Sequence, residues 1–310
     1  MNTIDFFMEN KKVPILFLIF NRKETALLSF EPIRQYRPER LYIAADGPRG
    51  TVFGEKEKCI ETRNAILSRI DWNCKVETLF RDKNLGCTDA VYGGISWFFE
   101  QEEYGIINED DVVLSQDFFL FCEELLPRYK EKDKVMIISS RNHSGLCQES
   151  DEYIFSYYAN IWGWASWRRA WKYNTNTFVG WREYPKWELI KRFGLFQGLV
   201  TIWYYSKCSN PTNNFGSWDY TWSYTINKLN GLCLCPRVNL SCNVGFVIDG
   251  SNFQEGDKNP YETLGIGRIK WPLKIHNKIV VDKVQLKNDE KDFFRMRCIG
   301  LRKKTRFFKS

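Results

Sequence analysis

The segment that decides the fold reads Tyr104-Gly105-Ile106-Ile107-Asn108-Glu109-Asp110-Asp111, a short apolar run followed by acids. The run from Tyr104 to Ile107 has the length and residue types of a buried strand. Polar residues directly after a buried strand lie at its carboxyl end, which in an open parallel sheet is the edge where ligands bind. The segment therefore predicts an α/β sheet with a ligand site at that edge.

The rest of the first half alternates strand-like apolar runs with helical stretches, which is typical of βαβ units. Val13 to Phe20 is continuously apolar, as expected of a strand covered on both faces. The further predicted strands and helices, in chain order, are Lys23 to Tyr36, Leu41 to Ala45, Glu55 to Arg69, Val76 to Phe80, Leu85 to Glu100, Gln116 to Tyr129 after a cap at Ser115, and Val135 to Ile138. This order predicts a Rossmann-like α/β fold, with a mostly parallel sheet flanked by helices.

Each of the first strands ends in polar residues. Asn21-Arg22 follows the first strand, Asp46-Gly47 the second and Arg81-Asp82 the third. We expect these side chains to gather at one edge of the sheet, where they suit a nucleotide diphosphate. The loops contain neither a Walker-type glycine motif nor G-x-G-x-x-G, which argues against NTPases and dinucleotide-dependent dehydrogenases.

The acids at 109–111 predict a divalent metal site. Mn²⁺ and Mg²⁺ prefer carboxylate oxygens and often take only one or two from the protein, while diphosphate oxygens and water complete the shell. Solvated loops also contain such triplets, so the residues alone leave that alternative open. The position after a βα series favours the metal.

A second acidic site lies at Trp218-Asp219-Tyr220, before a helical stretch that ends at Gly231. Sugar transfer with inversion needs a carboxylate that takes the proton from the attacking hydroxyl. Asp219 is our candidate for that base. Its structural alternative is an acid in the first turn of a helix, where the helix dipole favours negative charge.

The second half is rich in tryptophan, and aromatic faces stack on the apolar faces of sugars. We predict that it forms an acceptor-binding half and that Trp162, Trp164 and Trp218 contact the donor sugar or the acceptor. The alternative for each of them is a place in the core. The tryptophans from residue 153 onward are Trp162, Trp164, Trp167, Trp171, Trp181, Trp187, Trp203, Trp218, Trp222 and Trp271.

The order of these motifs resembles the GT-A fold glycosyltransferases over about Val13 to Phe253. Within them the chain most resembles the metal-dependent inverting family of the first N-glycan-branching N-acetylglucosaminyltransferase and its bacterial relatives. The acid triplet is common to many GT-A enzymes, whereas its pairing with a downstream Trp218-Asp219 is more specific. The resemblance implies transfer of a sugar, GlcNAc or another hexose, from a UDP-sugar to a glycan hydroxyl.

The resemblance also implies roles for single residues. Asp111 matches the metal ligand, Asp219 the catalytic base and Arg22 an arginine near the diphosphate. The other positions matched to nucleotide-sugar binding are Asn21, Asp46, Arg81, Asn84, Gly86, Glu109 and Asp110, with Asp46 at the base and Glu109 and Asp110 toward ribose and phosphate. The stretch from Asn239 to Phe246 is similar to a loop that closes over donor and metal.

These features predict one domain at 1–290, with a nucleotide-binding half at about 13–140 and an acceptor half at about 150–290. Residues 291–310 form a basic, aromatic tail suited to anionic lipid headgroups, or else a solvated helix. The tail carries much of the net charge of +7, and no recognised module is present, so we expect no nucleic-acid partner.

The 310 residues contain no apolar run long enough to cross a bilayer, and the ten Cys are scattered rather than arranged as a disulfide framework. We therefore expect a cytoplasmic enzyme, held near the inner face of the membrane by its tail. Its acceptor is expected to be a surface polysaccharide or a lipid-linked glycan. Two other functions remain as alternatives: a sugar nucleotidyltransferase, and a non-catalytic carbohydrate-binding protein that uses the tryptophans.

Overall fold

The structure is a computed structural model that describes residues 12–142, 149–150, 152–210, 218–245 and 265–291. Its strands are β1 (Ile15–Ile19), β2 (Arg40–Ala45), β3 (Lys75–Phe80), β4 (Tyr104–Glu109), β5 (Val112–Leu114), β6 (Val135–Ser139), β7 (Glu149–Ser150), β8 (Tyr153–Ser156), β9 (Trp164–Trp167), β10 (Leu232–Pro236), β11 (Ser241–Asn243) and β12 (Arg268–Ile269). Its helices are α1 (Lys23–Tyr36), α2 (Glu55–Leu67), α3 (Gly86–Gln101), α4 (Gln116–Arg128), α5 (Arg168–Trp171), α6 (Trp187–Phe193), α7 (Leu195–Cys208) and α8 (Trp218–Lys228).

The main sheet has eight strands in the order β3-β2-β1-β4-β9-β6-β10-β8. The strands β3, β2, β1 and β4 are parallel neighbours, and β10 is parallel to β6. Strand β9 runs antiparallel to β4 and β6, and β8 runs antiparallel to β10. The predicted α/β fold, a mostly parallel sheet flanked by helices, is confirmed.

Strand β1 lies inside the sheet and is buried on both faces, which explains its unbroken apolar sequence. Its alternate residues enter two separate hydrophobic clusters, one containing Phe17 and one containing Leu16. On the first face, the rings of Phe17 and Phe30 of α1 are 5.6 Å apart. On the second face, Leu16 joins Phe98 of α3. The carboxyl end of β1 is therefore held firmly from both sides.

Strand β4 is longer than predicted. Its ladder with β1 continues until Leu18 pairs with Glu109, so Asn108 and Glu109 belong to the strand and do not follow it. The Asn108 side chain donates to the carbonyl of Val112 over 2.9 Å and so closes the turn into β5, a strand that the sequence did not predict. Of the three acids, Asp110 and Asp111 lie in the turn between β4 and β5.

The predicted closing loop from Asn239 to Phe246 is in part a strand. Ser241–Asn243 forms β11, which pairs antiparallel with β5, and Leu240 N donates to Ser140 O over 2.8 Å. These backbone hydrogen bonds join the segment to β5 and to Ser140, so its middle residues are a strand and not a loop. Closure of the segment over donor and metal stays a prediction. Phe246 lies outside the described residues.

Three further observations bear on the sequence analysis. Ser115 occupies the position before α4, but its Oγ makes no hydrogen bond, so it does not cap the helix with its side chain. The cysteines in the described part of the chain are free thiols, and Cys59, Cys122, Cys233 and Cys235 are buried. Within the same part, no helix combines the length and the apolar character needed to cross a membrane. Residues 292–310 of the predicted tail lie outside the described residues.

Candidate functional site

The candidate site lies where the sheet changes its direction of winding. After β1 the chain moves to β2 on one side, while β4 lies on the other side of β1. In open α/β sheets, a crevice at the carboxyl ends of two such strands is the usual position of a ligand. Asn21 and Arg22 follow β1 here, and Asp110 and Asp111 follow β4.

Arg22 joins the two strand ends. Its Nη2 lies 3.2 Å from Oδ2 of Asp111 and also forms an ion pair with Asp110. Burial by itself lowers the pKa of Arg22, but the carboxylates of Asp110 and Asp111 raise it above its usual value, so the guanidinium stays charged. The backbone N of Phe20 also donates to Asp110, over 3.2 Å. The structure thus brings together residues that are far apart in sequence.

The carboxylates at this edge outnumber the cation that faces them. Burial raises the pKa of Glu109 well above its usual range, and the charges of Asp111, Asp110 and Asp219 raise it further. Burial also raises the pKa of Asp110 to about 6, against the opposing effect of Arg22. Because both carboxyl groups resist ionisation, a further cation would be stabilised here.

The space beside Asp111 is kept open by a glycine. A Cβ on Gly245 would lie 2.7 Å from Oδ2 of Asp111 and 3.2 Å from Oδ1 of Asn243. The segment is placed there by Val244, whose N donates to the carbonyl of Asp111 over 2.8 Å. Gly245 N donates to Oδ1 of Asn243 over 2.9 Å. The space is therefore bordered by a carboxylate and an amide oxygen, the ligand types that Mn²⁺ and Mg²⁺ prefer.

The described residues do not form a complete metal site by themselves. Within residues 12–142, 149–150, 152–210, 218–245 and 265–291, no group of three His, Cys, Asp or Glu side chains is arranged to hold a metal ion. The oxygens around Asp111 still fit a cation that takes the rest of its shell from a diphosphate and water. The role of Asp111 as metal ligand stays a prediction.

A cavity of about 600 Å³ opens at the same edge. All the residues that the sequence assigned to nucleotide-sugar binding line it: Asn21, Arg22, Asp46, Arg81, Asn84, Gly86, Glu109 and Asp110. Its size is in the range of pockets that bind small ligands. The structure brings these residues together in one cavity, although their roles toward a ligand stay a prediction.

Asp46 holds the cavity wall together. Its carboxylate accepts hydrogen bonds from Leu85 N at 3.0 Å, Gly86 N at 3.1 Å and the Asn84 side chain at 2.9 Å. It also accepts from Gly47 N at 2.9 Å. These bonds tie the loop before α3 to the end of β2. Asp46, Asn84 and Gly86 therefore have a clear structural role, beside which a contact between Asp46 and a base stays a prediction.

The loop after β2 and the first turn of α2 supply residues that the sequence analysis missed. Glu55 is 1 % exposed and accepts from Asn21 Nδ2 at 2.9 Å and from Arg49 N at 2.6 Å, which ties this loop to the end of β1. Lys58 and Phe53 also line the cavity, and Phe53 is fully exposed. These residues could have been identified by their position in the sequence, because every loop that follows a parallel strand lies at the same edge of the sheet.

Asp219 lies in the first turn of α8 and is partly buried. Burial raises its pKa to about 6, although the backbone N–H groups of Asp219 and Tyr220 lower it. Its charge also raises the pKa of Glu109 and of Cys87, and both of these residues line the cavity. Asp219 therefore fits both interpretations from the sequence: it lies in the first turn of a helix, and it is close enough to two cavity-lining residues to change their pKa values.

Two of the three predicted sugar-contacting tryptophans are in the core. Trp164 is 0 % exposed and Trp218 is 3 % exposed, and their rings stack 5.9 Å apart. Neither offers a face to a sugar, so this arrangement contradicts the expected contacts. The pair instead fixes the first turn of α8, which contains Asp219. Trp162 is partly exposed, with Arg141 3.6 Å from its ring centre, and it remains a candidate.

Comparisons with known proteins found similarity in structure only. No protein-family model matches the chain, and no curated protein matches it. A mannosyltransferase from Pyrobaculum calidifontis, PcManGT, solved in complex with GDP-Man and Mn²⁺, is 11 % identical with a TM-score of 0.43. The similarity covers 78 % of this chain and 59 % of that chain.

A second similar structure is HddC from Yersinia pseudotuberculosis, at 10 % identity and a TM-score of 0.33. Here the similarity covers 54 % of this chain and 83 % of that chain. Because one fold serves many activities, these two similarities assign neither an activity nor a substrate to the chain.

Proposed function

We propose that the chain is a metal-dependent, inverting glycosyltransferase that moves a sugar from a UDP-sugar to a hydroxyl of a glycan. The observation that carries the proposal is the joining of Arg22, Asp110 and Asp111 at the carboxyl ends of β1 and β4, beside a cavity of about 600 Å³. This arrangement combines a buried cation, surplus carboxylates and space for a ligand. UDP and inversion come from the family resemblance.

The cavity lining contains cationic side chains that suit a nucleotide diphosphate, beside the carboxyl groups of Asp46, Glu55, Glu109 and Asp110. Arg22, Arg81 and Lys58 line it, and in the described part of the chain neither Arg81 nor Lys58 has a carboxylate within ion-pair distance. Cationic side chains are the usual partners of phosphate oxygens. At the loop after β2, Phe53 presents its whole ring to solvent, and a nucleobase would cover it by stacking.

Asp111 would hold the metal with diphosphate oxygens, and Asn243 borders the same space. A divalent cation supplies charge that neutralises the leaving diphosphate when it is bound. Like the metal ion, Arg22 is positively charged, and it lies beside the carboxylates of Asp110 and Asp111, so it would orient the diphosphate. Gly245 leaves room for the metal and the diphosphate, because a side chain at this position would contact the carboxylate of Asp111.

Asp219 is the proposed base. A carboxyl group with a pKa of about 6 is largely ionised at neutral pH and still binds a proton more readily than an ordinary aspartate. In this role it would take the proton of the acceptor hydroxyl as the hydroxyl oxygen attacks the sugar and the bond to the diphosphate breaks. The stacked pair of Trp164 and Trp218 would fix its position.

The acceptor is proposed to be a surface polysaccharide or glycolipid, and Trp162 is the remaining candidate for an aromatic contact. The buried positions of Trp164 and Trp218 weigh against a protein that binds glycans through these rings alone.

Product analysis tests the proposal. The protein is incubated with Mn²⁺, single UDP-sugars and a mixture of glycan acceptors, and released UDP is measured. A parallel incubation with Mn²⁺, UTP and sugar 1-phosphates measures released pyrophosphate. The proposal predicts acceptor-stimulated release of UDP. Release of pyrophosphate from UTP and a sugar 1-phosphate would assign the site to a nucleotidyltransferase, and the absence of released UDP with every UDP-sugar would contradict the proposal.

A further inference from the structure

Arg63 of α2 joins the ends of two neighbouring strands of the sheet. Its Nη2 donates to the carbonyl of Asp46 over 2.9 Å and to the carbonyl of Arg81 over 2.8 Å. Asp46 directly follows β2, and Arg81 directly follows β3. Hydrogen bonds from a charged guanidinium are stronger than those between neutral groups. A single nitrogen atom therefore fixes the distance between the two strand ends.

The guanidinium of Arg63 is also held by an aromatic ring. Its Cζ lies 5.0 Å from the ring centre of Phe80, the last residue of β3. The face of an aromatic ring attracts a cation at this distance. Arg63 is partly buried and is not among the described residues that line the cavity. Its contacts are therefore with the frame of the site and not with the open space.

The two residues whose carbonyls Arg63 holds do line the cavity. The carboxylate of Asp46 accepts from Gly86 N, at the first residue of α3, over 3.1 Å. The side chain of Arg81 lies against the middle of the same helix, because a Cβ on Gly93 would be 2.7 Å from its Nη2. A shift of either strand end would therefore move a cavity-lining side chain relative to α3.

The loops that continue from these strand ends are in contact with each other. A Cβ on Gly47 would lie 2.5 Å from the backbone N of Lys83. Asn84 Nδ2 donates to the carbonyl of Gly47 over 2.8 Å. Neither loop has room to move toward the other, so the spacing of the strand ends also determines the spacing of the loops. Both loops begin at the residues that Arg63 holds.

We propose that Arg63 is a positioning residue for the nucleotide: it sets the spacing of Asp46 and Arg81, and through them the fit of the nucleotide part of the donor. This inference rests on the proposed function. The candidates for the metal ligand and the base, Asp111 and Asp219, lie after β4 and in α8. We therefore expect Arg63 to affect binding of the donor and not the chemical step, which would raise KM and leave kcat unchanged.

The test compares two substitutions. Arg63→Met keeps an unbranched side chain and removes its donors, whereas Arg63→Lys keeps the charge and an ammonium that can donate to both carbonyls. Arg69→Met is the matched control, at an exposed position two residues beyond α2. Titration calorimetry with UDP and Mn²⁺ measures affinity, and kcat and KM are measured with the UDP-sugar that gives acceptor-stimulated release of UDP. Circular dichroism and thermal unfolding verify that each variant is folded during the measurement.

The proposal predicts that Arg63→Met weakens UDP binding and raises KM by about 10- to 100-fold, with kcat within about twofold of the wild type. Arg63→Lys, whose side chain is one bond shorter, should bind UDP more tightly than Arg63→Met and more weakly than Arg69→Met. Equal affinities in Arg63→Met and Arg69→Met, or a fall in kcat with KM unchanged, would overturn the proposal.

If Arg63→Met does not fold, Arg63→Lys decides the question. An affinity below that of Arg69→Met with unchanged kcat would support the proposal, and an affinity equal to that of Arg69→Met would overturn it. Failure of the proposed function has a different signature. Wild-type protein that binds no nucleotide would overturn the proposed function and this inference together, whereas an unaffected Arg63→Met would overturn this inference alone.

Discussion

Nη2 of Arg22 lies 3.2 Å from Oδ2 of Asp111, and this contact joins the ends of β1 and β4. The same guanidinium pairs with Asp110, so one cation forms ion pairs with two carboxylates at the place where the sheet changes its direction of winding. Partly buried charges that are paired in this way cost less than isolated ones, but a surplus of carboxyl groups remains, at Glu109 and Asp219. The predictions below follow from that surplus and from the cavity beside it.

The first prediction concerns Asp219→Asn. We expect turnover to fall by about 10²- to 10⁴-fold, because a positioned base is worth about that factor, with the affinity for the nucleotide nearly unchanged. The measurement is kcat for the donor sugar that the product analysis identifies, together with titration of the nucleotide. Retained turnover would remove Asp219 from the role of base.

The pH profile tests the same group. The base must be unprotonated to act, and burial raises its pKa to about 6, so kcat should be level above that pH and fall as the pH falls through it. The decline should approach about tenfold for each pH unit, at saturating donor and metal. The residual activity of Asp219→Asn should lack this step, and a wild-type profile that stays level to well below pH 6 would contradict the assignment.

The second prediction concerns Gly245→Ala. The added Cβ would lie 2.7 Å from Oδ2 of Asp111, so we expect Mn²⁺-dependent nucleotide binding to weaken by about 10- to 100-fold. Gly265→Ala is the matched control, because nothing lies within 4 Å of its Cβ position. Titration calorimetry measures both. Equal affinities in the two variants would show that the space at Gly245 is not used.

The third prediction separates structural from binding roles at Asp46. Its carboxylate accepts from Gly47, Leu85 and Gly86, so Asp46→Ala should lower the free energy of unfolding by about 2–4 kcal/mol. Urea denaturation measures the change. Asp82→Ala, at an exposed neighbouring position, should alter stability little. A loss of nucleotide affinity in Asp46→Ala without a loss of stability would instead favour a direct contact with the base.

The fourth prediction concerns Phe53→Ala. Stacking of an aromatic side chain on a base is worth about 1–3 kcal/mol, so the affinity for UDP should fall about tenfold, while the affinity for Mn²⁺-pyrophosphate, which lacks a base, should not change. Leu28→Ala, at an exposed position outside the cavity lining, is the control. An equal loss for both ligands would mean that Phe53 acts on the diphosphate site or on the fold.

The sequence predicted the parallel half of the sheet closely, because periodicity and strand ends are local signals. The strand predicted at Val13 to Phe20, for example, is present as Ile15–Ile19 and is buried on both faces, as its unbroken apolar run indicated. It could not predict β5 or β11, which are each three residues long and are defined by pairing with each other across a long separation. Pairing between distant short segments leaves no periodic pattern in either segment.

The site residues show the same division. Polar residues at strand ends could be expected to converge, and Asn21, Arg81 and Asn84 do line one cavity. The sequence could not show that the carboxylate of Asp46 is used within the protein, because that depends on the path of the loop before α3. Nor could it separate buried from partly exposed tryptophans, since Trp162 and Trp164 are almost adjacent, yet Trp162 lies before β9 and Trp164 is the buried first residue of that strand.

The central claim is that Asp111 and the cavity bind a nucleotide together with a divalent metal. Isothermal titration of the purified protein with UDP, GDP and CMP, each with and without Mn²⁺, measures it most directly, with Asp111→Ala as the comparison. We predict binding of UDP that requires Mn²⁺ and is lost in Asp111→Ala, while the variant keeps its fold by circular dichroism. No binding of any nucleotide under either condition, or metal-independent binding that Asp111→Ala retains, would contradict the claim.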